Sequence, residues 1–211
     1  MTLGIARPRR DNAAMRPGLH VVHGFPPALR PAVAALYWEA FGAKLGRALG
    51  PRARAMRFIE SVLSPAHAIC AMGEDGRLLG VAGFKTPDGA LVGGGYAEMA
   101  AVYGPAGALW RGALLALLGR DTDNARFLMD GLFVAPEARG MGVGTALLDA
   151  IAQEARARGY REVRLDVVDE NPRARALYER KGYRAVARQT LGPLRWVFGF
   201  RAATTMVLKV A

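Results

Sequence analysis

The residues with the clearest chemical pattern are Arg139-Gly140-Met141-Gly142-Val143-Gly144-Thr145. Glycines at alternate positions let backbone approach a ligand closely, and a helical pattern opens at Thr145. A helix N-terminus carries unpaired N–H groups and the positive end of the helix dipole, so the loop suits an anion, phosphate above all. Other residues could do chemistry beside it. Asp130 is an acid inside the apolar run Phe127 to Val134, unusual on strand propensity and nine residues before Arg139. Asn171 and Tyr178 follow the loop on a later helical segment, and Glu39 precedes it on an early one.

The elements that must hold these residues show in the periodicity. The run 127–134 is a strand, and the helix 145–158 puts Leu147, Ile151 and Ala155 on one face. Residues 162–168 alternate, with Val163, Leu165 and Val167 pointing one way, and Asn171-Pro172 is an N-cap followed by a first-turn proline. Gly182 fits a helix C′ position. Strand, glycine loop, helix, strand is a crossover unit. Upstream, a short strand at 19–22 precedes a helix opening at Pro26-Pro27, with Leu29, Val33, Leu36, Tyr37 and Phe41 on one face. A second helix runs from Pro51 to about Ser64, and a hairpin pairs 67–72 with 78–85 around the turn 73–76. The final strands are expected at 183–188 and 204–210, joined by a loop that carries Trp196, Phe198 and Phe200.

Residues 86–125 form an insertion too short to build its own core. A short helix is expected at 96–103, a longer one at 108–118 and a polar turn at 121–124. The 108–118 helix is apolar nearly all round except Arg111, so it is either buried or an interface, a dimer seam included.

Composition narrows the classes. In 211 residues, 52% are hydrophobic, enough for a sizeable core. The net charge is +11, and with four lysines among 29 basic residues the chain has 25 arginines. An arginine-rich surface suits phosphorylated or carboxylated partners. The arginines are scattered, as on an ordinary solvated face, which argues against a nucleic-acid stripe. Cys70 is the only cysteine, which excludes an intramolecular disulfide, and its apolar strand makes it inert core. His20, His23 and His67 have no metal-ligand spacing, so no metal is expected. No run of about 18 apolar residues suggests a membrane span, and the first residues lack a secretory apolar segment, so the expected location is cytoplasmic. Residues 1–17 are expected to form a loose arm, with Met15 an alternative start, and 18–211 one domain.

Three nucleotide-loop readings compete. A phosphate loop of the Gly-Lys-Ser/Thr type is absent. A dinucleotide fingerprint is met by Gly140 and Gly142 but has Thr145 at its third glycine, with Asp166 as the ribose acid; only 45 residues (211 − 166) follow Asp166, too few for a doubly wound sheet. The third reading accounts for more residues. Arg139-x-x-Gly142-x-Gly144 resembles the acetyl-CoA signature of the GCN5-related N-acetyltransferase (GNAT) superfamily. Asn171-x-x-Ala174-x-x-Leu177-Tyr178-x-x-x-Gly182-Tyr183 resembles that family's second hallmark. The close match covers 127–188 and extends weakly over 18–85; the insertion departs from the compact family pattern.

The resemblance implies an α/β (α+β) fold: a mixed, strongly twisted sheet of about six to seven strands, helices on both faces, and a helical insertion before the central strand. Acetyl-CoA would lie where the strands 127–134 and 162–168 splay apart, within a cofactor-binding core at 127–183. Arg139, Gly140, Met141, Gly142, Val143, Gly144 and Thr145 would hold its pyrophosphate through their amides. Leu132, Phe133 and Val134 would pair with the pantetheine arm. Asn171 and Ala174 would touch that arm, and Tyr178 would protonate the leaving thiolate.

The attacking amine must be neutral. Asp130 is the first candidate for the base, near where some family members carry one, and Glu39 the second. The expected activity is acetyl transfer from acetyl-CoA to a primary amine in a ternary complex. The insertion and the loop 189–202 would narrow the acceptor entrance and favour a small molecule. The alternatives are a peptide or protein amine, or a non-catalytic module for CoA or nucleic acid.

Overall fold

The structure is a computed structural model that describes residues 18–116, 125–192 and 195–210. The expected arm at 1–17 and polar turn at 121–124 lie outside them. Strand β1 (Leu19–His23) is followed by a 3-10 turn at Pro27–Leu29, then by α1 (Arg30–Leu49) and α2 (Arg52–Val62). The hairpin is β2 (Ala68–Gly73) and β3 (Leu78–Thr86). The insertion forms β4 (Gly89–Ala90), α3 (Tyr96–Tyr103) and α4 (Pro105–Ala116). The central crossover follows as β5 (Phe127–Val134), α5 (Val143–Ala157) and β6 (Glu162–Val168). The chain ends with α6 (Pro172–Arg180), β7 (Arg184–Thr190), the short α7 (Arg195–Phe198) and β8 (Ala202–Lys209). The expected strand boundaries move by one or two residues, and a helical turn, α7, occupies the loop before the last strand.

Seven strands pair in the order β1-β2-β3-β5-β6-β8-β7, and the two-residue β4 pairs with β3 off this path, making eight. Only β5 and β6 run parallel; the other pairs are antiparallel. The crossover through α5 explains the exception, because a parallel neighbour needs a long connection. A doubly wound sheet is therefore excluded, and with it the dinucleotide reading. Asp166 instead accepts a hydrogen bond from Thr205 across the β6–β8 pair and faces Arg164.

Apolar side chains cover both faces of the sheet. On one face, Leu147, Leu148, Ile151 and Ala155 of α5 pack on Ile69, Phe84, Phe127, Val163 and Leu165. On the other, Val33 of α1 and Phe58 and Ile59 of α2 pack on Cys70, Val81 and Phe133. Residues 68–73 are buried throughout, which fits a central strand with helices on both sides. At the far edge, β7 is exposed along its whole length. Its register shifts between Ala185 and Ala187, a bulge that blunts an open edge.

The insertion is fastened to the α1–α2 corner. The Tyr103 hydroxyl donates to the Leu49 carbonyl at 2.6 Å, and Arg111 lies between the rings of Tyr103 and Trp110, 4.2 and 4.1 Å from their centroids. Of α4 only Ala108 is buried, while Leu109 and Trp110 stay exposed. The apolar helix is thus not core. Among the described residues no helix is long and apolar enough to cross a membrane, and no cluster of potential ligands could hold a metal.

Candidate active site

β5 and β6 pair only where they begin, at Phe127↔Val163 and Leu128↔Arg164. Beyond that they separate, while β5 stays paired with β3 up to Val134↔Gly80. The β6-facing backbone of Leu132, Phe133 and Val134 is therefore left without a strand partner among the described residues. The cause lies in the β3–β5 register: Gly83 faces Gly131 and Phe84 faces Met129, so Asp130 is an extra residue. Such a bulge bends the strand, strengthens its twist and re-aims a side chain. The acid that is odd on strand propensity is the bulged residue.

The splay ends at the glycine loop, whose glycines have different tasks. Gly140 and Gly142 have φ of +82° and +85°, a left-handed backbone that disfavours any side chain. Gly142 is the N-cap of α5 and supplies no side-chain cap. The first helical bond is Ala146 N–H to the Gly142 carbonyl, so the amides of Val143, Gly144 and Thr145 have no helical partner. Gly144 is needed for packing: a Cβ there would lie 3.0 Å from Leu177 Cδ2, with Leu132 and Val134 next nearest. Helix α6 closes on the splay through this contact.

α6 is built as the sequence indicates. Asn171 Oδ1 accepts from the Ala174 N–H at 3.1 Å, and Pro172 fills the first turn. At the other end Gly182, φ +86°, gives its N–H to Glu179, and Tyr183 gives its N–H to Tyr178, a Schellman close. The Lys181 ammonium pairs with the Asp149 carboxylate and ties α6 to α5. Tyr178 is 6% exposed, with its ring 5.9 Å from that of Tyr183, and burial pushes its hydroxyl up to about 12.

Asp130 keeps solvent access, yet the protein around it strips away enough water to raise its pKa, with the Lys85 ammonium opposing. Tyr37 is its neighbour from α1: burial first and the Asp130 charge second push that phenol upward. Tyr37, Phe41 and Phe133 form a cluster with ring centroids 4.8 to 6.1 Å apart. Gly131 is small because Phe41 lies over it, a Cβ there being 3.0 Å from Phe41 Cζ. Glu39 projects elsewhere. Its Oε1 accepts from Arg139 Nη2 at 2.9 Å, which joins α1 to the glycine loop.

Across Lys44 from the aromatic cluster is a cleft of about 510 Å³ lined by Arg47, Glu170, Arg195, Trp196, Phe200 and Arg201. The Lys44 ammonium stands between, 5.8 Å from the Phe41 ring and 5.7 Å from the Phe200 ring. Burial lowers its pKa, and the Glu170 charge partly restores it. Asp169 shapes this wall by accepting the N–H groups of Arg201 and Ala202, both at 3.2 Å. Residues 195–201, within the loop 189–202, supply most of this lining; no described residue of the insertion lines it. None of the cleft's charged groups stands out in the sequence. The alternation of Lys44 and Arg47 with apolar residues on α1 is their only local signal, and their proximity to residues 195–201, far along the chain, has no local signature.

A model of the acetyltransferase (GNAT) family matches residues 30–183. An N-acetyltransferase from Staphylococcus aureus Mu50 superposes with a TM-score of 0.65 at 14% identity, over 89% of this chain and 99% of that one. YncA of Salmonella typhimurium, solved with its cofactor acetyl-CoA, gives 0.57 at 16% identity over 92% and 95%. A nourseothricin acetyltransferase is 24% identical over 68% of this chain, which spans 65% of that longer chain, with a TM-score of 0.47. At these identities the likeness is one of fold. No curated protein matches the chain.

Proposed function

The chain belongs to the acetyltransferase (GNAT) family, and on that premise we propose that it transfers the acetyl group of acetyl-CoA to a primary amine of a small molecule, directly, in a ternary complex. One observation carries this reading. β5 and β6 part just where Asp130 bulges, and the gap runs to the uncapped N-terminus of α5. Acetyl-CoA as acyl donor fits the family. Its pyrophosphate would accept from the amides of the loop 139–145, with the Arg139 guanidinium at hand. The pantetheine arm would add to the free edge at Leu132, Phe133 and Val134 as an extra strand, beside Asn171 and Ala174.

An amine arrives as an ammonium and must lose a proton before it attacks. Asp130 is the base: its raised pKa brings a carboxylate closer to the amine it must deprotonate. Glu39, the second candidate, is engaged by Arg139 and serves better as that arginine's partner. The amine nitrogen bonds to the thioester carbonyl, the C–S bond breaks, and the thiolate leaves. Tyr178 donates to that sulfur. Its hydroxyl, at about 12, lies above a thiol's ~8.5. The donation is therefore first a hydrogen bond to the developing charge, completed as the product nitrogen loses its second proton. The products are an amide, CoA thiol and the proton held by Asp130.

Direct transfer is supported by the burial of the chain's one thiol. Cys70, the only cysteine, is fully buried, and burial pushes its thiol up to about 12. The cleft volume of about 510 Å³ suits a small acceptor. Initial rates with acetyl-CoA and an amine panel, followed by thiol release, test the reading. Intersecting double-reciprocal lines are expected. Parallel lines would replace the ternary complex by an acyl-enzyme, and thiol release independent of any amine would remove the transferase.

A further inference from the structure

The cleft beyond Phe41 is unbalanced in charge. Arg47 comes from α1, Arg195 from α7 and Arg201 from the residue just before β8, and one carboxylate, Glu170, shares the lining with them. None of the three arginines has an ion-pair partner among the described residues. The arginine that does have an ion-pair partner next to the site, Arg139, lies on the cofactor side. Arg195 stacks over Trp196, with its Cζ 5.0 Å from the ring centroid, which holds the planar fork in place at the wall. Trp196 and Phe200 give the cleft an apolar wall, and Phe200 meets the aromatic cluster around Asp130 through Lys44.

Guanidinia gathered in a recess and left unpaired meet the geometry of a carboxylate or phosphate, which can accept two parallel N–H bonds. The same recess repels cations. A second positive charge at the far end of an acceptor would lie among Lys44 and the arginines. Resting on the transferase reading, we propose that the acceptor is a small amine whose far end carries an anionic group, carboxylate or phosphate, separated from the amine by an apolar body. The arginines take the anion, Trp196 and Phe200 take the body, and Asp130 receives the amine.

Matched pairs test this: 4-(aminomethyl)benzoate against benzylamine, phosphoethanolamine against ethanolamine, with cadaverine as the dication. Each is titrated by calorimetry into protein saturated with CoA, and then assayed for transfer. The anionic member of at least one pair should bind roughly ten- to a hundred-fold more tightly than its neutral match, the worth of one or two charge-assisted contacts. In transfer the gap should lie in KM. The two pairs separate carboxylate from phosphate. In the double variant Arg47→Gln, Arg195→Gln, the ratio within the favoured pair should fall by about ten-fold, with affinity for acetyl-CoA retained. No preference for either anionic member, a preference for cadaverine, or an unchanged ratio in the variant would overturn the proposal. Selective binding without any transfer would leave the anion site standing and sink the transferase reading instead.

Discussion

Replacing Glu39 by glutamine removes the charge that holds Arg139 in the cofactor-free protein while keeping the side chain's shape. The two groups are 2.9 Å apart, but their side chains are 60% and 47% exposed for Arg139 and Glu39. Solvent screens such a pair, and exposed pairs contribute about 0.2–1 kcal/mol. Unfolding stability should therefore change by less than about 1 kcal/mol, a few degrees in Tm at most. If Arg139 must leave Glu39 to meet the pyrophosphate, the same amount is recovered on binding, and acetyl-CoA should bind roughly 1.5- to 5-fold more tightly. Loss of a negative charge beside the loop proposed to hold the pyrophosphate adds in the same direction. Calorimetric titration of both proteins with acetyl-CoA measures it, and at about 0.5 M salt the difference should shrink, since the Debye length falls well below ~10 Å. The turnover rate should stay within a few-fold. Weaker binding would refute the competition between Glu39 and the cofactor. A fall of about 10²-fold in kcat would instead make Glu39 the base.

Other substitutions separate the remaining roles. Asp130→Asn should lower kcat by about 10²-fold, with a loss that shrinks at high pH as free amine becomes abundant. Because the folded pKa of Asp130 is raised, ionisation costs stability, which is lost as pH rises through the folded value. The asparagine variant should thus melt higher than the parent at neutral pH and no higher near pH 3, below the unfolded carboxyl's ~3.9. Tyr178→Phe should reduce kcat roughly 10- to 100-fold with acetyl-CoA affinity unchanged; an undiminished rate would remove the tyrosine from the mechanism. Gly140→Ala should cost about 1–2 kcal/mol from its φ of +82°, since nothing lies within 4 Å of the added Cβ. Asparagine at 140, which tolerates that backbone better, should cost less in the same melt.

Much of this site is legible in the chain because its parts are local. The cap at Asn171, the close at Gly182 and the buried stripe of α5 each follow from spacing within one helix. The loop glycines are visible as a group, but their division of labour is not. Gly144 is a packing glycine because Leu177, 33 residues on, closes over it. Asp130 stands out as an acid in a strand, whereas the bulge that explains it exists only in the register with β3. The engagement of Glu39 by Arg139 joins residues 100 apart, and no periodicity reports such a contact. α4 shows the limit of periodicity. Its apolar sequence suggested a buried helix or an interface, and the structure leaves Leu109 and Trp110 exposed. Periodicity measures composition around a helix and does not say what, if anything, covers it.

The most direct test of the account is calorimetric titration of the purified protein with acetyl-CoA, CoA and NADH in parallel. Saturable binding of both acetyl-CoA and CoA and no heat from NADH are expected, because on the proposed reading the splay takes a pantetheine arm, which NADH lacks. Failure of the folded protein to bind either CoA species, or tight binding of NADH, would contradict it.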